Sequence, residues 1–190
     1  MKRLALTGAS RGLGRALAGE LHRAMSQHLV LVARNFRRAQ DLQAELGRSP
    51  LCTYLHGDQA LPTFARELSA QFQALPGPLD TLFLNAAAAD KDSALAPAQK
   101  AESLLRVNFA SPVELVEQCL ELGVLAPRAR VVLVSSELGN FHMLRNEAVK
   151  ERLRAASSIA ELALIGEEYV EALEARPLGP NVAAFIGHSD

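Results

Sequence analysis

Tryptophan is absent from this chain of 190 residues, and aromatic side chains make up only 5% of it. A core here must be built from aliphatic residues, and the 49% hydrophobic content supplies them and excludes a disordered chain. Cysteine is scarce as well. Cys52 and Cys119 each fall within an apolar run, which excludes a disulfide framework and reads as small core residues. The five histidines are scattered, so no metal site is expected. An excess of either charge is also lacking. Twenty basic and 21 acidic residues leave a net charge of −1, with no long basic block for nucleic acid or an anionic membrane. No apolar run is long enough to span a bilayer, and Met1-Lys2-Arg3 leads into the first strand without a secretory apolar region. These absences predict one cytoplasmic, reduced domain over 1–190, with neither nucleic acid nor membrane as a partner.

What is present is concentrated near the start. Leu4-Ala5-Leu6 reads as a buried strand, glycines follow at positions 8, 12 and 14, and a helical column begins at once with Leu13, Leu17 and Leu21. Strand, glycine turn and helix place a helix N-terminus against a phosphate. One glycine allows the tight turn, one lets the backbone approach a pyrophosphate, and one lets helix and strand pack closely. A nucleotide-binding turn over Gly8, Ser10, Arg11, Gly12, Leu13 and Gly14 is the expectation.

Downstream, His28–Ala33 is a continuous apolar run, as in a parallel strand covered on both faces. Its tip carries Arg34 where dinucleotide-binding folds place an acid for a free ribose 2′-hydroxyl or a base for a 2′-phosphate. With no acid there, Arg34 and Arg11 favour NADP(H) over NAD(H), although each taken singly reads equally well as a solvated surface arginine. Phe36, Ala39, Leu42 and Leu46 form a helical stripe closed by Gly47. Leu51–Leu55 is a third strand, and Asp58 in the turn beyond it reads by itself as a residue for local hydrogen bonding. Phe64, Leu68, Phe72 and Leu75 make a further helix, stopped at Pro76-Gly77-Pro78. A fourth strand runs from Leu79 to Asn85-Ala86, and Asp90–Ser93 reads as a loop. One long helix is expected from there to about Leu122, with Leu104, Val107, Val113, Val116 and Leu120 inward. Asn108 inside it is intrinsically unfavourable, because its side chain competes for backbone hydrogen bonds. Val131–Val134 is a fifth strand that delivers Ser135 and Ser136 at its carboxyl end, where open α/β sheets bind ligands.

In order and separation, Thr7-Gly8-Ala9-Ser10-Arg11-Gly12-Leu13-Gly14, Asp58, Asn85-Ala86, Arg106-Val107-Asn108-Phe109 and Ser136 resemble the short-chain dehydrogenase/reductase family. The resemblance covers Leu4 to about Gly139. It implies an α/β fold, a Rossmann-type doubly wound parallel sheet of order 3-2-1-4-5 lacking the usual C-terminal strands. It implies Asp58 at the adenine amino group, Asn85 and Ala86 beneath the cofactor, and Asn108 and Ser136 as catalytic residues. The activity implied is NADP(H)-dependent oxidoreduction of a small carbonyl or alcohol.

One part of the family pattern is missing. Its Tyr-x-x-x-Lys pair supplies and tunes the reacting proton. This chain has only Tyr54, in the third strand, and Tyr169, which is followed at the required spacing by Leu173. About 141–177 reads instead as a helical insertion, with Ser158 and Glu161 as a capping box and Ile159, Leu162, Ile165, Tyr169 and Leu173 as an apolar stripe. Family members of the carbonyl- and menthone-reductase type carry such an insertion before their tyrosine. Near Ser136 in sequence, His142 is the titratable side chain of a type whose ordinary pKa suits proton transfer near neutrality. The chain is therefore expected to be a truncated, catalytically impaired member; the alternative is a non-catalytic NADP(H)-binding regulatory or interaction module.

Overall fold

The computed structural model describes residues 1–24, 28–89, 94–144 and 146–175. The loop expected at Asp90–Ser93, Pro177 at the end of the insertion, and Gly187–Asp190 lie outside them. The elements in chain order are β1 (Arg3–Thr7), α1 (Gly12–Ala24), β2 (His28–Ala33), α2 (Phe36–Glu45), β3 (Cys52–His56) and α3 (Phe64–Gln73). Then come β4 (Leu79–Leu84), α4 (Pro97–Leu105), a π turn (Arg106–Ala110), α5 (Ser111–Glu121), β5 (Leu125–Leu133), α6 (Glu147–Ala155) and α7 (Ile159–Ala175). Two compact units divide them, Met1–Ala87 with Val107–Val134 and Ala88–Arg106 with Ser135–Asp190.

The first unit is a five-stranded sheet of order β3-β2-β1-β4-β5, with every neighbouring pair parallel. Successive residues of a strand face opposite sides, and both sides are apolar here. Ala5, Val30, Val32 and Leu82 pack with Phe64, Leu68 and Phe72 of α3 and Leu115 and Cys119 of α5. Leu4, Leu6, Leu29 and Leu31 pack on the other side with Ala18 of α1 and Leu42 of α2. That double cover is why β2 reads as an unbroken apolar run. Burial pushes the Cys119 thiol up to about 12, so it behaves as a small core residue.

Arg3 is buried, and its guanidinium donates to the carbonyl oxygens of Pro76 (2.7 Å), Gly77 (2.5 Å) and Pro78 (3.2 Å). Those carbonyls belong to the turn that ends α3, so one cation satisfies a turn whose prolines cannot donate. β5 is longer than the expected Val131–Val134, and its register against β4 jumps from Leu79–Leu125 to Thr81–Arg130. It is an edge strand among the described residues, and Leu133 at its end is 70% exposed.

Three expectations need correction. The single long helix is two helices joined by the π turn. A π turn adds one residue, rotating everything beyond it by about 100°. Leu120, expected inward, is 63% exposed, and Leu115 and Cys119 are buried instead. Leu13 and Phe36, counted in buried stripes, are 63% and 73% exposed. Each lies in the first turn of its helix, at the carboxyl ends of the strands, beyond the side chains that cover the sheet.

In the second unit, Leu173 of α7 is buried with Ala98 and Ala101 of α4, and Tyr169 and Val170 pack against them. A Cβ at Gly166 would stand 3.3 Å from Leu105, which shows how closely α7 approaches α4. The start of α7 is capped twice. Ser158 Oγ accepts from the Glu161 backbone N–H at 3.2 Å, and the Glu161 carboxylate accepts from the Ser157 N–H at 2.7 Å. Arg152 of α6 pairs in bidentate fashion with Glu168 of α7, at 2.6 and 3.0 Å. No helix among the described residues is long and apolar enough to cross a membrane.

Candidate functional site

The glycine turn has the backbone its chemistry requires. Gly8 and Gly12 adopt φ of +69° and +52°, in the left-handed region that favours glycine. A Cβ at Gly8 would meet Ala86 Cα at 2.8 Å, and one at Gly14 would overlap the Gly8 carbonyl and stand 2.5 Å from Asn85 Nδ2. The three glycines therefore differ in use. Gly8 lets the turn lie against the β4 exit, Gly14 lets α1 lie against the turn, and Gly12 borders open space, where a Cβ would meet nothing within 4 Å. An open backbone at the start of a helix, held from behind by two close approaches, fits a dinucleotide pyrophosphate.

Thr7, buried at the end of β1, fastens the turn to β4. Its hydroxyl accepts from the backbone N–H groups of Asn85 and Ala86, both at 3.1 Å. The Asn85 amide in turn donates to the Thr7 carbonyl at 3.0 Å. Asn85 thus shapes the cradle from behind, and Thr7, which in the sequence only opens the motif, has a fastening role there that sequence reasoning did not assign. Its signal is a lone polar residue at the end of an apolar strand, directly before glycine. The Ala9 N–H donates to the Val32 carbonyl at 3.1 Å, tying the turn to β2 as well. Ser10 is buried, whereas Arg11 and Leu13 are exposed beside the turn.

At the β2 tip, Arg34 is exposed and lies 3.8 Å from Asp58, so the two predicted adenosine-side residues meet each other. Asp58 Oδ1 also accepts from the Ala60 N–H at 3.1 Å, which is the local turn role its sequence context allows. Asn35 caps α2 by accepting from the Arg38 N–H at 3.0 Å. That cap sets Arg37 and Arg38, both exposed, in the first turn of α2, two more cations at this end that sequence reasoning did not single out. Gly57 is needed for packing, since a Cβ there would meet Phe64 at 2.9 Å and Val32 at 3.0 Å.

Asn108 is exposed in the π turn and belongs to the first unit; Ser136 is exposed and belongs to the second. The Ser136 carbonyl accepts from the Gly139 N–H at 2.9 Å, closing a short 3-10 turn over Glu137–Gly139. His142 is exposed in a second such turn, Phe141–Met143, whose Asn140 cap accepts its backbone N–H at 3.5 Å. Tyr169 packs in the α4–α7 cluster, and burial pushes its phenol up, away from the range useful for proton transfer near neutrality. Tyr54 packs on the α1–α2 side of the sheet, and its phenol is pushed up too, first by burial and then by the Cys52 thiol beside it. No three His, Cys, Asp or Glu side chains among the described residues converge as metal ligands would.

The chain is similar to carbonyl reductase (NADPH) 3 of Homo sapiens, 38% identical over 138 residues that make up 69% of this chain and 47% of the relative. It is similar to carbonyl reductase (NADPH) 1 of Mus musculus, 34% identical over 167 residues, or 85% of this chain and 58% of the relative. The chain thus spans about half the length of the curated relatives it matches. Among solved structures, salutaridine reductase from Papaver somniferum superposes with a TM-score of 0.79 at 19% identity, over 98% of this chain and 77% of that one. Menthone neomenthol reductase from Mentha piperita gives 0.78 at 16% identity, over 97% and 79%. At such identities the two structures speak for the fold alone. Residues 2–148, most of the described chain and all of the cradle, match the short chain dehydrogenase family, and the chain belongs to it.

Proposed function

We propose that this chain binds NADP(H) and carries the cofactor-binding part of an oxidoreductase acting on small carbonyl or alcohol substrates. The observation that carries the reading is the glycine cradle, where Gly14 meets the Gly8 carbonyl, Gly8 meets Ala86, and Gly12 faces open space. Gly8, Ser10, Arg11, Gly12, Leu13 and Gly14 would hold the pyrophosphate, with Asn85 and Ala86 behind them. Arg34 and Arg11 would pair with the 2′-phosphate by charge-assisted hydrogen bonds, and Arg38 stands near enough in sequence to add a third. Asp58 would face the adenine. The bound nicotinamide supplies or takes a hydride. The names of the curated relatives, both NADPH enzymes, support the choice of phosphorylated cofactor.

Ser136 would orient a carbonyl and Asn108 would position a water or a backbone group, but neither offers a proton with a tuned pKa. These 190 residues contain no Tyr-x-x-x-Lys, and Tyr169 is engaged in packing. General acid catalysis is worth roughly 10²–10⁴-fold, so the chain by itself is catalytically impaired. The same observation favours the second reading, a non-catalytic NADP(H)-binding regulatory or interaction module. Two free thiols and the lack of a membrane-crossing helix among the described residues fit a reduced cytoplasmic setting.

Fluorescence titration of NADPH and NADH against the wild type and Arg34→Ala tests the cofactor assignment. NADPH is expected to bind at least about tenfold more tightly, and Arg34→Ala to remove most of that preference. Equal affinities, unchanged by the substitution, would overturn it.

A further inference from the structure

We infer that Gln59 is a positioning residue, whose side-chain amide and backbone carbonyl together clamp the π turn that presents Asn108. The need for a clamp is written in the helix itself. A π turn bonds each carbonyl to the N–H five residues on, and an α-helix to the N–H four residues on. For Val107 the first of these is position 112, and for Asn108 the second is position 112 again. That residue is Pro112, which has no N–H and whose ring crowds the carbonyl four residues before it. The helix therefore cannot donate from position 112 to either carbonyl, just where the chain carries Asn108.

Gln59 supplies what the helix lacks. Its Nε2 donates to the Val107 carbonyl at 3.0 Å, and its backbone carbonyl accepts from Ser111 Oγ at 2.6 Å. One residue thus holds positions 107 and 111, the two sides of Asn108, and all of these groups lie in the first unit. Gln59 is 7% exposed and Ser111 0%, so water does not compete strongly for either bond. Gln59 Oε1 is buried without a protein donor, a desolvation cost that leucine or methionine would avoid. An apolar residue would fill this space more cheaply, so it is the donating amide that the position uses. Gln59 also follows Asp58 directly, so the clamp ties the exit of β3 to the Asn108 turn. That Asn108 takes part in chemistry rests on the proposed function; that Gln59 fixes its place does not.

The test uses the full chain, isotopically labelled and without cofactor, so its outcome is independent of the NADP(H) assignment. In Gln59→Met, matched in length but without a donor, the Val107 carbonyl and Asn108 side-chain resonances should move. Amide exchange over 106–111 should accelerate about tenfold or more, while resonances of the Gly8–Gly14 turn stay in place. Ser111→Ala releases the other side alone and should move the same Asn108 resonances, which answers the question should Gln59→Met fail to fold. Cys119→Ala is the control for general loosening: it weakens the packing of α5 and should leave Asn108 where it is. Unmoved Asn108 resonances in a folded Gln59→Met or Ser111→Ala protein, or equal movement in Cys119→Ala, would overturn the proposal.

Discussion

The two units hold their candidate site residues in opposite ways. In the sheet unit the glycine turn is fixed from behind by buried partners: Thr7 to Asn85 and Ala86, Ala9 to Val32, and Gly14 against Gly8. In the helical unit Ser136 and His142 are exposed, Ser136 just before and His142 within a turn of three residues closed by local hydrogen bonds, and the Arg152–Glu168 and Arg154–Glu151 ion pairs of that unit are exposed as well. Phe141 and Met143 are 42% and 51% exposed there, and Arg154 lies 5.3 Å over the Phe141 ring. Recognition of a dinucleotide by backbone groups would depend on a turn held in place, and the bonds behind the glycine turn hold it. Chemistry depends on a titratable group placed beside the reacting atoms, and neither described tyrosine has an environment that tunes it for the purpose. The difference separates a turn fixed by buried long-range partners from exposed turns held by local bonds.

The sharpest way to break that contrast is Gly14→Val. A branched side chain would run into the Gly8 carbonyl and the Asn85 amide. NADPH affinity should fall at least about 100-fold, with a stability loss of about 1–3 kcal/mol. Calorimetric titration and urea unfolding measure the two; unaltered binding would reduce the glycine turn to a mere turn.

Leu173→Ala asks the converse question of the helical unit. Leu173 is buried between α7 and α4, and its truncation should cost about 2–4 kcal/mol. NADPH affinity should be unchanged, because none of the cradle residues lies in that unit. A parallel fall in affinity and stability would erase the contrast.

A smaller effect sharpens it by pH. His28 at the start of β2 bonds Thr53 Oγ1 at 2.7 Å, and burial followed by the Arg3 charge holds its pKa below the usual histidine value. The unfolded chain therefore binds the proton more readily than the folded one. Stability is full above about pH 6.5 and falls as pH drops below it. Urea midpoints across pH 8 to 5.5 should fall, and His28→Gln should flatten part of that slope; an identical slope in the variant would assign the loss elsewhere.

Much of this was legible in the residues. The apolar runs at Leu4–Leu6, His28–Ala33 and Leu79–Leu84 are covered on both faces, so burial alone marks them as strands. The glycine spacing marks the turn because the approach of Ala86 at Gly8, where φ of +69° also favours glycine, and the contact at Gly14 leave no room for a Cβ. The π turn was not legible from periodicity. One inserted residue changes the phase of the buried face without changing its composition, and the visible clue was Pro112. Leu13 and Phe36 were misread because helical spacing does not show that a first turn projects past the sheet. For Asn85, placed beneath the cofactor by resemblance, spacing does not reveal the bond its amide donates to the Thr7 carbonyl, a partner 78 residues away.

Hydrogen exchange of the full chain with and without saturating NADPH tests the central claim most directly. Protection is expected at the Gly8–Gly14 turn, at Arg34–Arg38, at Gly57–Gln59 and at Asn85–Ala86, while α7 exchanges at the same rate in both states. Protection confined to α6 and α7, or no difference anywhere at NADPH concentrations up to the millimolar range, would contradict the assignment of cofactor binding to the sheet unit.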